Sequence, residues 1–313
     1  MRRKKQTSIQ GVLLLLLTAL IWGCSFVSQS LGMEHVGAFT FNGIRTVMGA
    51  LVLTPIIIVG RRGLSRAKRD WTDYEHSVHM DGIIEEIKYG LVLGVVFFIA
   101  SNLQQFAFYY STAGKIAFIT AFYIFFVALF GMLIGKKVSR LKWLSVAFAL
   151  VGLFYLCITP GDMLNINKGD ILALLCALAY AVHILLIERF VEEADSITLS
   201  CVQFFVAGIM SCICMFIFEQ PSMDAILSAA GPLLYAGILS CGIAYTTQMI
   251  GQKYAEATVA SILMSMESVF AVIAAAIILH ETLIGREIVG CAVMFASIIL
   301  SQVADKIAEN YGW

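Results

Sequence analysis

The chain has 313 residues, 60% of them hydrophobic and 13% charged, with a formal net charge of zero. Soluble domains carry about 25% charged and about 45–50% apolar residues, so a water-soluble globule of this length could not hide so much apolar surface. The solvent is lipid, and the zero net charge gives no sign of a nucleic-acid partner.

Met1-Arg-Arg-Lys-Lys5 followed by Leu13–Leu17 has the look of a signal peptide, and Ile21-Trp-Gly-Cys24 faintly that of a lipoprotein cleavage site. The bulky Trp22 is wrong for such a site and the apolar run continues past it, so an uncleaved first span is expected. Apolar windows of bilayer-crossing length, about 20 residues, follow in order. They lie near 11–31, 38–60, 89–110, 113–135, 141–159, 169–189, 196–218, 230–251, 257–279 and 286–304, which predicts an all-α protein with ten transmembrane helices. Short links such as Tyr110-Ser-Thr112 make neighbours antiparallel.

Cations then orient the spans. With the N-terminus in the cytoplasm, inner segments hold seventeen of the 21 Lys and Arg residues, from Arg2 through the 61–69 cluster to Lys306. Outer segments hold only Lys115, Lys168 and Arg286, and Arg45 lies within span 2. The positive-inside rule therefore puts both termini in the cytoplasm. The one long connection, 61–88, is expected to be a solvated cytoplasmic loop, basic and then acidic. Its His76 and His79, with Glu75 and Asp81, are the only candidates for a metal, and the amphipathic-loop reading is preferred. No metal or cofactor is expected. All eight cysteines, Cys24, Cys157, Cys176, Cys201, Cys212, Cys214, Cys241 and Cys291, fall inside apolar segments with no CxxC pair, and read as small buried hydrophobes.

The two halves echo each other. A shift of 158 aligns Gly11/Gly169, Leu17/Leu175, Ala19/Ala177, Leu20/Leu178 and Trp22/Tyr180. A shift of 143 aligns Leu91/Leu234, Gly94/Gly237, Gln105/Gln248, Ala117/Ala260, Ile119/Ile262 and Ala128/Ala271; the difference of 15 residues falls where the 61–88 connection sits. Five helices is an odd number, so the second copy would enter the membrane upside down. Repeats over 1–163 and 164–313 are thus expected to be inverted, the arrangement by which secondary transporters alternate access around a midplane site.

Leu14–Gly23, Phe39–Arg45 and Ala113–Ala121, with Ala257–Ser261, Met266–Phe270 and His280–Leu283, resemble the EamA-type carriers of the drug/metabolite transporter superfamily over nearly the whole chain. The resemblance implies a cavity lined by helices 1, 3, 4, 6, 8 and 9. It also implies prolines in helix 4 and after the helix 9 glutamate, but helix 4 has none and Glu267 is followed by Ser268. The family's Gly-Glu pair stands as Gly135-Lys136 and His280-Glu281, a pattern expected to cap helix ends.

Polar side chains in hydrocarbon must face a partner helix or a cavity. Those expected to contact substrate are Trp22, Ser25, Gln29, Asn102, Gln105, Tyr123, His183, Tyr245 and Gln248, with packing as the alternative for each. Gln104, Thr120 and Tyr180 join the same polar set, and Gln105 and Gln248 are expected to face one cavity symmetrically. The pairs Gly90/Gly94 and Gly131/Gly135 are expected to permit close helix approach.

Glu267 is the sharpest case, because a charge at the bilayer centre costs roughly 2.5–3.5 kcal/mol on insertion scales. It lies about 15 Å and Arg45 roughly 10 Å from opposite faces of a core about 30 Å thick, so their depths nearly match. The preferred expectation is a strut, Glu267 paired with Arg45 or bonded to Ser265 or Ser268. The other is a cavity residue that binds a cationic group or exchanges a proton.

The function expected is secondary transport of a small polar or amphipathic metabolite, amino-acid-like or drug-like, across the plasma membrane. Its partners would be that solute and the bilayer, with homodimerisation left open. A non-transporting receptor or scaffold is the alternative, although no loop exceeds about thirty residues and sensor domains run about 50–250. An enzyme is disfavoured, since the chain has no HExxH and no aspartate in the middle of a span.

Overall fold

The computed structural model describes residues 7–67, 73–158, 166–278 and 285–311. Within them the chain is helical throughout, with no strand. In order come α1 (Ile9–Met33), α2 (Ala38–Ala67), α3 (Asp73–Ala107), α4 (Ala113–Leu133) and α5 (Arg140–Cys157). Then follow α6 (Lys168–Phe190), α7 (Ser196–Phe218), α8 (Ala230–Gln252), α9 (Ala257–Met264 continued by Glu267–Ile278) and α10 (Gly285–Tyr311).

Local chemistry explains where these helices start. Ser8, Thr112, Ser139 and Asp195 each offer a side-chain oxygen to a backbone N–H three residues on, and Asn167 with Asp170 forms a reciprocal capping box. Gly135 ends α4 at φ +86°, with Lys136 N donating to the Gly131 carbonyl at 2.9 Å, a Schellman termination. Gly131 and Gly135 therefore do not serve close helix approach. Gly90 and Gly94 do, because a β-carbon on either would lie 2.5 Å from the β-carbon of Val202 or Val206 on α7.

The expected 61–88 loop is corrected in the same way. α2 runs on to Ala67 and α3 begins at Asp73. Arg, Lys and Glu are good helix formers and the stretch has no proline, so helix extends into it from both sides, to Ala67 and from Asp73. The side chains of His76 and His79 lie outside the described set, as do His280 and Glu281.

Polarity is inverted relative to a soluble protein. Leu13, Val27, Leu51, Ile99, Phe216 and Ile299 are exposed, whereas Thr18, Gln29, Arg45, Gln105, His183, Gln203 and Glu267 are buried. Seven helices among the described residues, α1, α2 over Ala38–Val59, and α4 to α8, are long and apolar enough to cross a membrane. The chain is a multi-pass membrane protein.

The heaviest packing crosses the middle of the sequence. α5 packs on α10, α2 on α7 and α8, α3 on α6 and α7, α1 on α8 and α9, and α4 on α6. Buried ion pairs pin both ends. Lys115 Nζ donates to Asp170 Oδ2 at 2.7 Å where α4 and α6 begin. At the other end Lys136 pairs with Glu188 and Lys142 with Glu256.

Candidate functional site

Two helices of this bundle are broken in mid-course. α4 stops at Thr120 and resumes at Tyr123; α9 stops at Met264 and resumes at Glu267. Neither break contains a proline. Each is instead a tight turn of i→i−3 bonds, Phe122 N to Ile119 O and Ile124 N to Ala121 O in α4, Met266 N to Leu263 O and Ser268 N to Ser265 O in α9. The breaks are 144 residues apart, as are the starts of the two helices.

Around them lies a cavity with about 500 Å³ of empty space, the open solvent at its mouth included. Its walls are Trp22, Ser25, Phe26 and Gln29 from α1, Arg45 from α2, Gln104 from α3, and Thr120 and Tyr123 from α4. The second half adds Tyr180 and Ile184 from α6, Ser240, Tyr245 and Gln248 from α8, and Glu267 from α9. Ser240 and Tyr245 lie on a π-helical stretch of α8, Tyr235–Tyr245. Tyr245 is the aromatic hub: its ring sits 4.6 Å from that of Trp22, and its hydroxyl 3.2 Å from that of Tyr180.

Seven polar atoms on these walls are buried without a protein hydrogen-bond partner. They are Trp22 Nε1, Ser25 Oγ, Gln29 Oε1, Arg45 Nη2, Thr120 Oγ1, Tyr123 OH and Gln248 Oε1. Unpaired polar groups are rare inside proteins and each costs about 1–3 kcal/mol, so their concentration on one surface makes it the candidate solute-facing surface.

The structure sorts the expected residues. Trp22, Ser25, Gln29, Tyr123, Tyr245, Gln248, Arg45 and Glu267 line the cavity; Asn102, Gln105 and His183 do not. Asn102 is spent on a polar network, donating to Ser211 Oγ at 3.1 Å and accepting from Asn42 Nδ2 at 3.0 Å. His183 is fully buried with Nε2 2.8 Å from Gln203 Oε1. Gln105 turns away, its amide nitrogen 3.4 Å from the Gln29 carbonyl oxygen, while the adjacent Gln104 reaches the cavity. The symmetric glutamine pair expected from the 143-residue shift is thus off by one, since the 144-residue spacing of the breaks carries Gln104 to Gln248.

Sequence reasoning missed Phe26, Ile184 and Ser240 because small and apolar residues on a cavity wall look like packing. It also left out α2 as a wall, although Arg45 had been singled out.

The preferred strut is not formed. Among the described residues Glu267 and Arg45 share no ion pair, and the Glu267 carboxylate has no hydrogen bond. Ser265 Oγ donates to its own helix, to Ile262 O at 2.7 Å, and Ser268 Oγ has no hydrogen-bond partner. Arg45 is held from behind: its Nε donates to Asn42 Oδ1 at 2.7 Å, and its guanidinium lies 5.7 Å from the Phe41 ring. Two side chains of opposite ionisable type, 2% and 5% exposed, thus face one cavity without meeting.

α1 touches the α9 break backbone to backbone. A β-carbon on Gly23 would fall 2.6 Å from the Glu267 carbonyl oxygen and 2.9 Å from the Ala271 nitrogen. Gly23→Ala is therefore expected to destabilise the fold by about 1–3 kcal/mol, read as earlier thermal unfolding in detergent.

Apolar crossing helices around a buried cavity of unpaired polar groups define a membrane protein built to accommodate a solute. The EamA-like transporter family model matches residues 9–158 and again 167–302. An uncharacterized transporter of Archaeoglobus fulgidus is 25% identical over 95% of this chain and 89% of its own length. The uncharacterized transporter YoaV of Bacillus subtilis is 24% identical, with 90% and 93% covered. One of Clostridium kluyveri is 22% identical, with 96% of each chain covered. A solved crystal structure shares the fold at a TM-score of 0.72 and 18% identity, over 96% of this chain and 98% of that one. The chain belongs to the EamA-like transporter family, and so to the drug/metabolite transporter superfamily; it is a multi-pass membrane transporter.

Proposed function

We propose that this transporter is a secondary carrier that moves a small polar or amphipathic metabolite across the plasma membrane by alternating access. The observation that carries the reading is the cavity, whose unpaired polar atoms come from both halves of the chain. α3, α9 and α10 complete a set of ten crossings, with α9 crossing as two half-helices. Residues 1–163 and 164–313 are then the inverted repeats, and both termini are cytoplasmic.

Several features support the repeat. Moving each helix label by five turns the α1–α9 contact into α6–α4, α1–α8 into α6–α3, and α2–α8 into α7–α3. The contacts α2–α7 and α5–α10 map onto themselves. On the cavity wall Trp22 corresponds to Tyr180, Gln104 to Gln248, and Tyr123 to Glu267. Discontinuous helices at mid-depth belong to the same architecture.

The packing bears on which bodies would rock. α1 and α2 are packed with α8 and α9, and α3 and α4 with α6 and α7. These mixed bundles, joined by the α2–α7 contact, are the units we take to move.

A thermal-shift screen against a metabolite library tests the carrier reading. A ligand at a hundred times its dissociation constant stabilises by roughly 2.7 kcal/mol, and Trp22→Ala should abolish that shift while the protein stays monodisperse. Uptake of the hit into proteoliposomes should then be saturable. A library without a hit, or a hit indifferent to Trp22→Ala, counts against the site.

Orientation has its own test. Cysteines introduced at positions 3, 70 and 308 should resist an impermeant thiol reagent in intact cells and react after permeabilisation. Labelling of any of them in intact cells would overturn the topology and the inverted repeat together.

A further inference from the structure

We propose that the inner mouth of this carrier is shut by a latch that the outer mouth lacks, made by Glu188, Gln252 and the Lys142–Glu256 pair, so that the empty protein rests with its cavity closed to the cytoplasm; this rests on the carrier reading above. The inner end is where α6 and α8 finish and α9 starts, beside the start of α1, since Ser8 N donates to the Tyr254 carbonyl at 3.0 Å. Three ties cross it, just beyond the cavity residues Ile184 and Gln248. Gln252 Nε2 on α8 donates to the Ile184 carbonyl of α6 at 3.0 Å. Glu188 on α6 accepts the Ala257 N–H of α9 at 3.0 Å and pairs with Lys136 at the end of α4. Glu256, just before α9, pairs with Lys142 of α5. The first two join one mixed bundle to the other, α8 and α9 to α6.

The start of α9 shows how closely it depends on that seam. At the start of α4 the preceding residue, Thr112, caps its own helix, its Oγ1 accepting from Lys115 N at 3.4 Å. The residue preceding α9, Glu256, makes no such bond. Its carboxylate is turned to Lys142, and Glu188 of the opposite bundle takes an N–H of the first turn. Helix starts are usually capped by their own flanking residue. α9 takes its cap from across the seam, and loses it when the seam opens.

The repeat carries each tie to the outer mouth, and there the chemistry is missing. The 158-residue spacing takes Ile184 to Phe26 and Glu188 to Ser30; the 144-residue spacing takes Gln252 to Phe108, Glu256 to Thr112 and Lys142 to Arg286. A phenylalanine side chain cannot donate to a carbonyl, and neither serine nor threonine supplies a counter-charge. Arg286 instead donates to the Phe154 carbonyl at 3.1 Å and lies over the Phe154 and Tyr155 rings. The Glu219 carboxylate does bridge the bundles at the outer end, accepting from Phe39 N at 2.9 Å and Thr40 N at 2.7 Å. It does so on the α2–α7 contact, where the bundles are joined, and not at the edge that opens. Ties at one mouth alone favour the state in which that mouth is shut. Cavity and latch also touch: Gln248 on the cavity wall donates from Nε2 to Gln252 Oε1 at 3.1 Å. A solute that engages Gln248 therefore acts on a member of the latch.

A reporter cysteine in the cavity reads the resting state. Ser240 lines the cavity and is buried, and Ser240→Cys exchanges only oxygen for sulfur. Its modification by the impermeant thiol reagent MTSET is followed from each face, in right-side-out and inside-out membrane vesicles holding the full chain. The chain without the reporter gives the background of its eight native cysteines. With the latch intact, labelling should be fast from the outer face and slow from the cytoplasmic face.

Glu256→Gln and Gln252→Leu remove different ties, and each should raise the cytoplasmic rate about tenfold or more while lowering the outer rate, because the two states share one population. Exchanging the charges, Lys142→Glu with Glu256→Lys, should return both rates toward those of the intact latch. Thr112→Ala at the outer mouth should change neither. Equal rates from the two faces with the latch intact, or unchanged rates in both variants, would overturn the latch. So would a rise from both faces, which is what general loosening of the fold gives. The ligand-induced thermal shift that needs Trp22 is read separately, and its absence is what would count against the carrier reading.

Discussion

Glu188→Ala should lower stability by about 3 kcal/mol. Glu188 is buried at the end of α6, where one carboxylate oxygen accepts the Ala257 N–H at 3.0 Å and the other accepts from Lys136. One side chain therefore fastens the end of α4 to the first turn of α9. Alanine leaves a buried N–H without its acceptor at a helix start and removes the counter-charge of a lysine. Glu188→Gln keeps an acceptor for Ala257 but loses the charge, so about half the effect should remain. The measurement is thermal unfolding of purified protein in detergent. A Glu188→Ala variant as stable as the wild type would show that the carboxylate only decorates this end of the bundle.

Gly94→Ala and Gly131→Ala should change stability in opposite directions. At Gly94 a β-carbon would lie 2.5 Å from Val206 Cβ and 2.9 Å from the Gln203 carbonyl oxygen, so α3 must shift away from α7. Overpacking of that kind costs about 1–3 kcal/mol. At Gly131 the nearest atom to an added β-carbon is Lys136 Cδ at 3.7 Å, an ordinary contact. Alanine is favoured over glycine in a helix by roughly 0.5–1 kcal/mol, so this variant should melt later than the wild type. The same sign for both would show that the two glycines share one role.

These glycines also mark how far the sequence could be read. Gly90/Gly94 and Gly131/Gly135 have the same spacing, and spacing alone assigns both to close helix approach. One pair does face a neighbour. The other falls where α4 ends, and the left-handed turn at Gly135 gives it a different task. Which is which depends on the packing of α7, which local sequence does not encode.

The glutamines show the limit more sharply. Adjacent residues on a helix differ by about 100° in direction, so a one-residue error in aligning the repeats exchanged Gln104 for Gln105. Depth was recoverable, because the rise per residue is constant, and it placed Arg45 and Glu267 at similar levels. Their lateral separation was not. Sequence distance measures position along a helix and says nothing of the gap between two helices, so what the sequence favoured as a strut emerged as two side chains that face one cavity without meeting.

What the sequence determined by itself was the solvent, the class of fold and most of the polar residues that a cavity can use. Apolar content decides solvent directly, and a polar group in hydrocarbon must turn inward wherever it stands. Tertiary structure alone decided which inward groups bond to a neighbour, as Asn102 does to Ser211 and Asn42, and which are left facing the cavity, as Arg45 and Glu267 are. That division depends on how rigid helices are rotated and spaced against one another, and packing between residues far apart in the chain sets it.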